Sequence, residues 1–303
     1  MTRAEDGPFA DLTEERLRSA FDTTDYVAED NIVTTVLLSL RMGRPLLVEG
    51  EPGTGKTELA KVLAAGFDAE LVRLQCYEGL TAENALYEWN YAKQLLALQA
   101  AAATDEGSVF TDEYLLERPL LRALLESDGQ GPPPVLLVDE VDRADEAFEA
   151  LLLELLSDFQ VSIPEFGTVA AAEPPVVIIT SNRTRGLSDA LKRRCLYLHI
   201  HPPSLEKERE IVQRRVPELE AAVADRLCRA VQRLREEPLR KPPGAAETVD
   251  WARAMLELDI GASEPLSPDR VRRTIGCLLK EADDVARTDE SLVVALADAA
   301  NGE

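Results

Sequence analysis

Gly50-Glu51-Pro52-Gly53-Thr54-Gly55-Lys56-Thr57 is the stretch on which the reading of this chain turns. It fits G-x-x-x-x-G-K-[ST] at every constrained position. Glycines there let backbone N–H groups converge on phosphate oxygens without Cβ clashes. A helix that follows points its positive dipole end at the same oxygens. Lys56 then covers the charge of the β- and γ-phosphates, and the Thr57 hydroxyl is a ligand for Mg²⁺. A chance match in a chain of this length arises on the order of one per cent of the time. Context lowers that further, since apolar Pro45-Leu46-Leu47-Val48 precedes the loop and a helical pattern from Glu58 to Gly66 follows it.

A second segment completes the first. Val135-Leu136-Leu137-Val138 reads as a buried strand that delivers Asp139 and Glu140 at its C-terminal end. Parallel sheets place ligands at that end. Asp139 suits Mg²⁺, held through water, and Glu140 suits the polarisation of an attacking water. Acids after a strand also serve to start the next helix; the upstream loop is what favours the metal and base reading. A third apolar strand, Val176 to Thr180, runs into Ser181-Asn182, where an amide can hydrogen-bond both a phosphate and a water. An asparagine in a turn is the plainer alternative.

Strands expected at 45–48, 71–74, 135–138, 176–180 and 196–200 alternate with helices expected at 12–42, 58–66, 92–128 and 144–157. That alternation predicts an α/β fold whose parallel sheet is covered on both faces. Pro202-Pro203 punctuates the chain, and the pattern beyond it is helical. The expected division is therefore an α/β core over 1–201 and a smaller all-helical domain over 202–303.

The chain has 303 residues, 45% of them hydrophobic and 29% charged, a balance that suits globular domains. Lys+Arg 33 against Asp+Glu 56 gives −23. Such a charge argues against generic binding to nucleic acid or to an anionic membrane. No apolar run is long enough to span a bilayer, and the first residues carry none of the apolar character of a secretory leader. Four scattered cysteines without a CxxC pair, and two histidines flanking Ile200, give no zinc pattern and fit a reducing cytoplasm. Against the acidic background, Arg183, Arg185, Lys192, Arg193 and Arg194 stand with one acid, Asp189. Such a cluster needs a counter-anion. One candidate is a phosphate bound to a neighbouring subunit, because an arginine supplied from outside accelerates phosphoryl transfer by about 10³–10⁵. A solvated helix end is the other reading.

In this order the pieces resemble an AAA+ ATPase, and more narrowly the MoxR group. Asp139-Glu140-Val141-Asp142-Arg143-Ala144 is similar to that group's D-E-[IV]-[ND]-R-A segment, and Phe159 to Ile163 to the start of its hairpin. Tyr87 to Lys93, Glu247 to Ala254 and Leu278-Leu279-Lys280 resemble the branch encoded beside carbon monoxide dehydrogenase. The resemblance spans about residues 20–285. It implies an AAA+ core with a helical lid and ATP with Mg²⁺ as cofactors. Gly50 to Thr57 together with Glu58 fall on its nucleotide-binding loop, Thr57 and Asp139 on its metal ligands, and Glu140 on its base. Asn182 falls on the sensing asparagine. Arg194 falls on the arginine finger, with Arg193 as rival. Tyr26 and Val27 lie where family members wrap the adenine. The group's second sensor reads Ser-Pro-Arg. Here Ser267-Pro268-Asp269-Arg270 has an extra residue, leaving Arg270, Arg272 and Arg273 all open for that role.

The implied function is an ATP-hydrolysing, chaperone-like remodeller in the cytoplasm. It would form a homo-oligomeric ring, a hexamer, and mature a client metalloenzyme with a von Willebrand A-domain adaptor. An AAA+ nucleic-acid motor of helicase or branch-migration type is the alternative. The net charge and the absence of a basic-aromatic stripe speak against it. A small-molecule kinase sharing the loop would need neither Asn182 nor an arginine in trans.

Overall fold

The computed structural model describes residues 7–101, 110–127, 129, 131–164, 166–258 and 264–302. These divide into two compact units. One comprises Met1–Thr24, Ala28–Glu49 and Lys56–His199; the other comprises Asp25–Val27, Gly50–Gly55 and Ile200–Glu303.

The first unit opens with α1 (Glu14–Thr23), capped by the Thr13 hydroxyl, which accepts the Arg16 N–H at 3.2 Å. The single helix expected over 12–42 is two. Asp25 adopts φ +55°, a left-handed conformation that no helix continues through, and α2 (Asp30–Met42) restarts after it. β1 (Leu46–Gly50) then leads to α3 (Lys56–Gly66) and β2 (Leu71–Gln75).

The expectation of one helical segment over 92–128 is also corrected. A short α4 (Ala82–Ala85) precedes β3 (Tyr87–Trp89), which pairs antiparallel with β4 (Leu115–Glu117). Between them runs α5 (Tyr91–Ala101), and α6 (Pro119–Leu125) follows with proline in its first turn. Residues 102–109 and 128 of that expectation lie outside the described residues. Ala, Leu and Glu favour helix only weakly. The cross-strand partners of Trp89 and Tyr87 outweigh that preference at Leu115–Glu117.

β5 (Val135–Asp139) is buried along its whole length. It is followed by α7 (Glu146–Asp158), the hairpin β6 (Gln160–Ile163) and β7 (Gly167–Ala170), β8 (Val176–Ser181), α8 (Asp189–Arg194) and β9 (Leu196–Ile200). The five-stranded sheet has the order β2-β5-β8-β1-β9. β2, β5, β8 and β1 run parallel, with Leu137 opposite Ile178 and Leu46 opposite Ile178 on its other side. Four successive apolar residues in β5, each at most 1% exposed, show that both faces are covered. Burial of each such side chain stabilises by about 1.5–3 kcal/mol, and this central strand thereby fixes where its last residue, Asp139, emerges.

The second unit is helical: α9 (Leu205–Arg215), α10 (Ala221–Arg235), α11 (Ala245–Glu257), α12 (Pro268–Thr274), α13 (Ala282–Ala286) and α14 (Glu290–Asn301). Its core surrounds Trp251, fully buried, whose indole N–H donates to Thr274 Oγ1 at 2.8 Å. A buried carboxylate, Glu208, is also fully enclosed. It accepts from both terminal nitrogens of Arg235 at 2.7 and 2.6 Å, from Gln232 at 2.9 Å and from the Thr248 hydroxyl at 2.6 Å. A charge held away from water needs such pairing. Arg235 also donates to the Pro243 carbonyl at 2.7 Å, while Asp284 accepts the N–H groups of Arg240 and Lys241 at 3.0 Å each. The loop that enters α11 is therefore held midway, at Arg240 and Lys241, and near its end, at Pro243.

Candidate functional site

The first unit brings its share of the predicted residues together at the C-terminal ends of β2, β5 and β8. Asp139 is 3% exposed. Its Oδ1 accepts from the Thr57 hydroxyl at 3.0 Å and from the Thr180 hydroxyl at 2.6 Å. Its Oδ2 accepts from Arg73 at 2.6 Å. Thr57 belongs to the first turn of α3, so the helix that follows the loop delivers its hydroxyl to the strand that carries Asp139. The pair offers two hard oxygen donors, the type that Mg²⁺ takes when it keeps several waters. These residues fit that metal.

Glu140 follows directly, and its backbone is left-handed, with φ +55°. For a non-glycine residue this costs of order 1–3 kcal/mol and persists only where the surroundings impose it. Here the Glu140 N–H donates to Thr180 Oγ1 at 2.9 Å. The carboxylate is gripped on both oxygens: Asn182 Nδ2 reaches Oε1 at 3.3 Å, while Gln75 Nε2 at 3.1 Å and Arg143 Nη1 at 3.0 Å reach Oε2. Glu140 and Asn182, predicted separately, are thus hydrogen-bonded neighbours. Arg143 pairs locally with Glu140.

Asp142 organises the floor beneath. It accepts the N–H of Asn182 at 3.1 Å, the N–H of Thr184 at 2.8 Å and the Thr184 hydroxyl at 2.6 Å. Burial alone pushes its pKa up; these donors outweigh burial, and the carboxyl sits below its ordinary value. Asn182 is thereby fixed through its backbone while its amide meets Glu140. Cys76, whose N–H donates to the Asp139 carbonyl at 2.8 Å, lies behind the site. Burial, followed by the neighbouring Asp139, pushes its thiol up to about 12, which leaves it protonated and inert.

Lys56 is the first residue of α3 and is buried, and Glu58 pairs with Lys61 at 3.3 Å on the surface of that helix. The basic tract is less solitary than the sequence implies. Arg185 pairs with buried Glu149 at 2.5 Å and also donates to the Ala144 carbonyl. Arg183 lies 3.9 Å from Glu49. Arg194 rests its guanidinium on the Ser157 hydroxyl at 3.0 and 3.2 Å, and Arg193 is exposed. Both are in the last turn of α8, with the Arg193 and Arg194 carbonyls held by Arg44 at 2.7 and 3.2 Å.

The second unit holds the loop itself together with Tyr26 and Val27, both half-buried. Glu51, Pro52 and Gly53 are exposed, and the Thr54 hydroxyl closes a turn onto the Glu51 carbonyl at 2.8 Å. A Cβ on Gly50 would lie 2.4 Å from the Ile200 carbonyl oxygen, so only glycine fits there. Gly53 has φ +80°, and a Cβ on it would meet Gly244 Cα at 3.1 Å and Glu247 Oε2 at 3.3 Å. Conversely, a Cβ on Gly244 would lie 2.6 Å from the Gly53 carbonyl oxygen. Two glycines allow the loop and the start of α11 to touch backbone to backbone.

Gly244 and Glu247, which meet the loop at Gly53, have no site role in the sequence reading. Glu247 caps α11 by accepting the Gly244 N–H at 2.9 Å. The signal was Pro242-Pro243-Gly244 followed by a glutamate three residues on, a helix-start pattern. The three arginines left open for the second sensor are paired with carboxylates: Arg270 with Glu264 at 2.5 Å, Arg273 with Asp269 at 3.8 Å, and Arg272 with Glu290.

A parallel sheet with a phosphate-type loop after β1, paired carboxylates after β5 and a helical second unit is an α/β AAA+ core with a helical lid. Residues 45–195 match the family described as AAA domain, dynein-related subfamily, and this segment is an AAA domain. Among curated proteins the chain is similar to YehL of Escherichia coli K12, 30% identical over 185 residues. That match takes in 58% of this chain and 46% of the relative, so the chain spans about half of that relative's length. It is also similar to SH1500 of Staphylococcus haemolyticus, 22% identical over 259 residues, covering 82% of this chain and 90% of that one. Among solved structures, a point mutant of RuvB from Thermotoga maritima superposes with a TM-score of 0.49 at 19% identity, over 94% of this chain and 84% of that one. No helix among the described residues is long and apolar enough to cross a membrane.

Proposed function

We propose that this protein is a Mg²⁺-dependent ATPase of the MoxR type that remodels a client protein within a homo-oligomeric ring. The observation that carries the reading is the pair of gripped carboxylates: Asp139, tied to Thr57 and Thr180, and Glu140, tied to Asn182 and Gln75. Gly50 to Thr57, with Glu58, Tyr26 and Val27, would bind the nucleotide, and Thr57 with Asp139 would hold the metal. The metal, when bound, supplies positive charge to the phosphate oxygens. Lys56 covers further phosphate charge. Glu140 accepts the proton of the attacking water as general base, and Asn182 orients that water and the carboxylate together. Arg194, or Arg193 beside it, would act on a neighbour's phosphate from the end of α8.

The client class rests on the sequence resemblance at Tyr87 to Lys93 and Glu247 to Ala254. On this reading the client is a metalloenzyme under maturation, and a von Willebrand A-domain protein serves as adaptor. The test is ATP turnover by the purified chain with Mg²⁺, followed by capture of bound proteins on Glu140→Gln in ATP. Turnover abolished by Lys56→Ala and capture of an apo-metalloenzyme are expected. An ATP-inert wild type overturns the reading, and turnover that rises strongly with DNA replaces the protein client by nucleic acid.

A further inference from the structure

The chain leaves α2 for β1 through Gly43-Arg44, and this corner is pinned. Gly43 adopts φ +58°, the left-handed conformation that ends a helix and favours glycine. The Arg44 N–H donates to the Ser39 carbonyl at 3.0 Å, and the buried Ser39 hydroxyl donates back to the Arg44 carbonyl at 2.7 Å. With both backbone polar groups held, half-buried Arg44 sends its guanidinium to the C-terminal end of α8. Nη2 donates to the Arg193 carbonyl at 2.7 Å and to the Cys195 carbonyl at 3.2 Å, while Nε donates to the Arg194 carbonyl at 3.2 Å.

A helix ends on carbonyls that have no partner within it, and the negative end of its dipole lies there. α8 has six residues, too few to hold a helix by its own hydrogen bonds. The Lys192 carbonyl is met by the Cys195 N–H at 3.3 Å. The next three carbonyls in sequence, those of Arg193, Arg194 and Cys195, are all met by Arg44. A planar guanidinium serves three carbonyls from one position, whereas an ammonium is a single point of charge. The backbone of Arg193 and Arg194 is thus placed by a residue 149 and 150 positions upstream, and the Arg194 side chain rests on Ser157 of α7.

Resting on the reading that Arg194, or Arg193 beside it, acts on a neighbour's phosphate, we propose that Arg44 is a positioning residue for that arginine. By capping the end of α8 it sets the place from which the guanidinium reaches the adjoining subunit's nucleotide. Placement matters there, because a shift of about 1 Å in a group that acts on the transition state costs on the order of 10²-fold in rate. Arg44 also adjoins β1, which leads into Gly50, so support of its own subunit's loop is the competing account. The two differ in whose nucleotide suffers. On the first, an Arg44 variant keeps an intact nucleotide site and misplaces the arginine it lends next door. On the second, it keeps the arginine and damages its own site.

The experiment measures ATP turnover by the full chain carrying Arg44→Met, alone and in mixed rings. Alone, this variant should bind a fluorescent, non-hydrolysable ATP analogue within about two-fold of wild type and lose about ten-fold or more in turnover. Mixed with Lys56→Ala, whose Arg44 and α8 arginines are intact, it should recover turnover above the sum of the separate proteins. Mixed with Arg194→Ala or Arg193→Ala, whichever loses turnover, it should recover none, since both lack the same contribution. Arg44→Lys, with its charge kept and fewer donors, should fall between Arg44→Met and wild type, and takes the place of Arg44→Met in both mixtures if that variant does not fold. Recovery with the α8 arginine variant, absence of recovery with Lys56→Ala, wild-type turnover by Arg44→Met, or lost analogue binding overturns the role of Arg44. The ring reading survives such a result where the α8 arginine variant and Lys56→Ala still rescue each other. No rescue in that pair, in rings shown to be mixed, overturns both.

Discussion

The Thr180 hydroxyl donates to Asp139 Oδ1 at 2.6 Å and accepts the Glu140 N–H at 2.9 Å. One fully buried side chain on β8 thereby sets the carboxylate that ends β5 and the left-handed residue after it. Thr180→Val keeps the shape and removes both bonds. A hydrogen bond to a charged group is worth about 1.5–3 kcal/mol, and a buried N–H left without a partner costs about 1–3 kcal/mol. Chemical denaturation should show a loss of about 2–4 kcal/mol, with Thr180→Ser close to wild type. A Thr180→Val protein as stable as wild type would remove this bond from the account.

Glu140→Gln should bind Mg-ATP and hydrolyse it poorly. On the proposed reading the carboxylate, held by Asn182, Gln75 and Arg143, serves as the base, and Lys56 covers phosphate charge. Lys56→Ala should lose binding instead. Calorimetric titration separates the two, and wild-type turnover by Glu140→Gln would end the base assignment.

The Arg194 guanidinium donates to the Ser157 hydroxyl at the exposed end of α8. Arg194→Ala should therefore fold normally and bind ATP, yet lose turnover by orders of magnitude if it serves a neighbour. Mixing it with Lys56→Ala should recover part of the activity, because each subunit supplies what the other lacks. Recovery seen for Arg193→Ala and absent for Arg194→Ala would move the role one residue back. No recovery in rings shown to be mixed excludes both.

Asp142 provides a pH test. Its folded pKa is lowered by the Thr184 and Asn182 donors against the effect of burial. A carboxyl of this kind contributes its full stabilisation above its unfolded pKa of about 3.9, and loses it as pH falls through the lower folded value. Urea midpoints of wild type should fall from pH 6 to pH 3 more steeply than those of Asp142→Asn. Equal slopes would show that Asp142 is not the group responsible.

Gly244 has φ −88°, so alanine there meets no backbone penalty. The cost is the Gly53 carbonyl at 2.6 Å from the new Cβ. Gly244→Ala should lower stability by about 1–3 kcal/mol, the scale of forcing an atom into packed surroundings, and should weaken nucleotide binding through the displaced loop. Unaltered thermal midpoint and affinity would show that the loop moves aside freely.

Much of this was legible along the chain because it is local. Gly50 to Thr57 between an apolar strand and a helix, and Asp139-Glu140 after four apolar residues, depend on neighbours in sequence and on a period that burial imposes. The same locality misled at 12–42 and 92–128. There a single left-handed residue, Asp25, and the pairing of β3 with β4 overrode helix propensity.

The sequence by itself determined the loop, the paired carboxylates and the α/β-then-helical order of the chain, since each is written in residue type and spacing. Only the tertiary structure decided which side chains hold those carboxylates. Arg73 and Gln75 are 66 and 65 residues from their partners Asp139 and Glu140, and Gly53 meets Gly244 across a longer span. Such contacts arise from strand order and register, and these are fixed by the collective burial of the sheet, which no local pattern encodes.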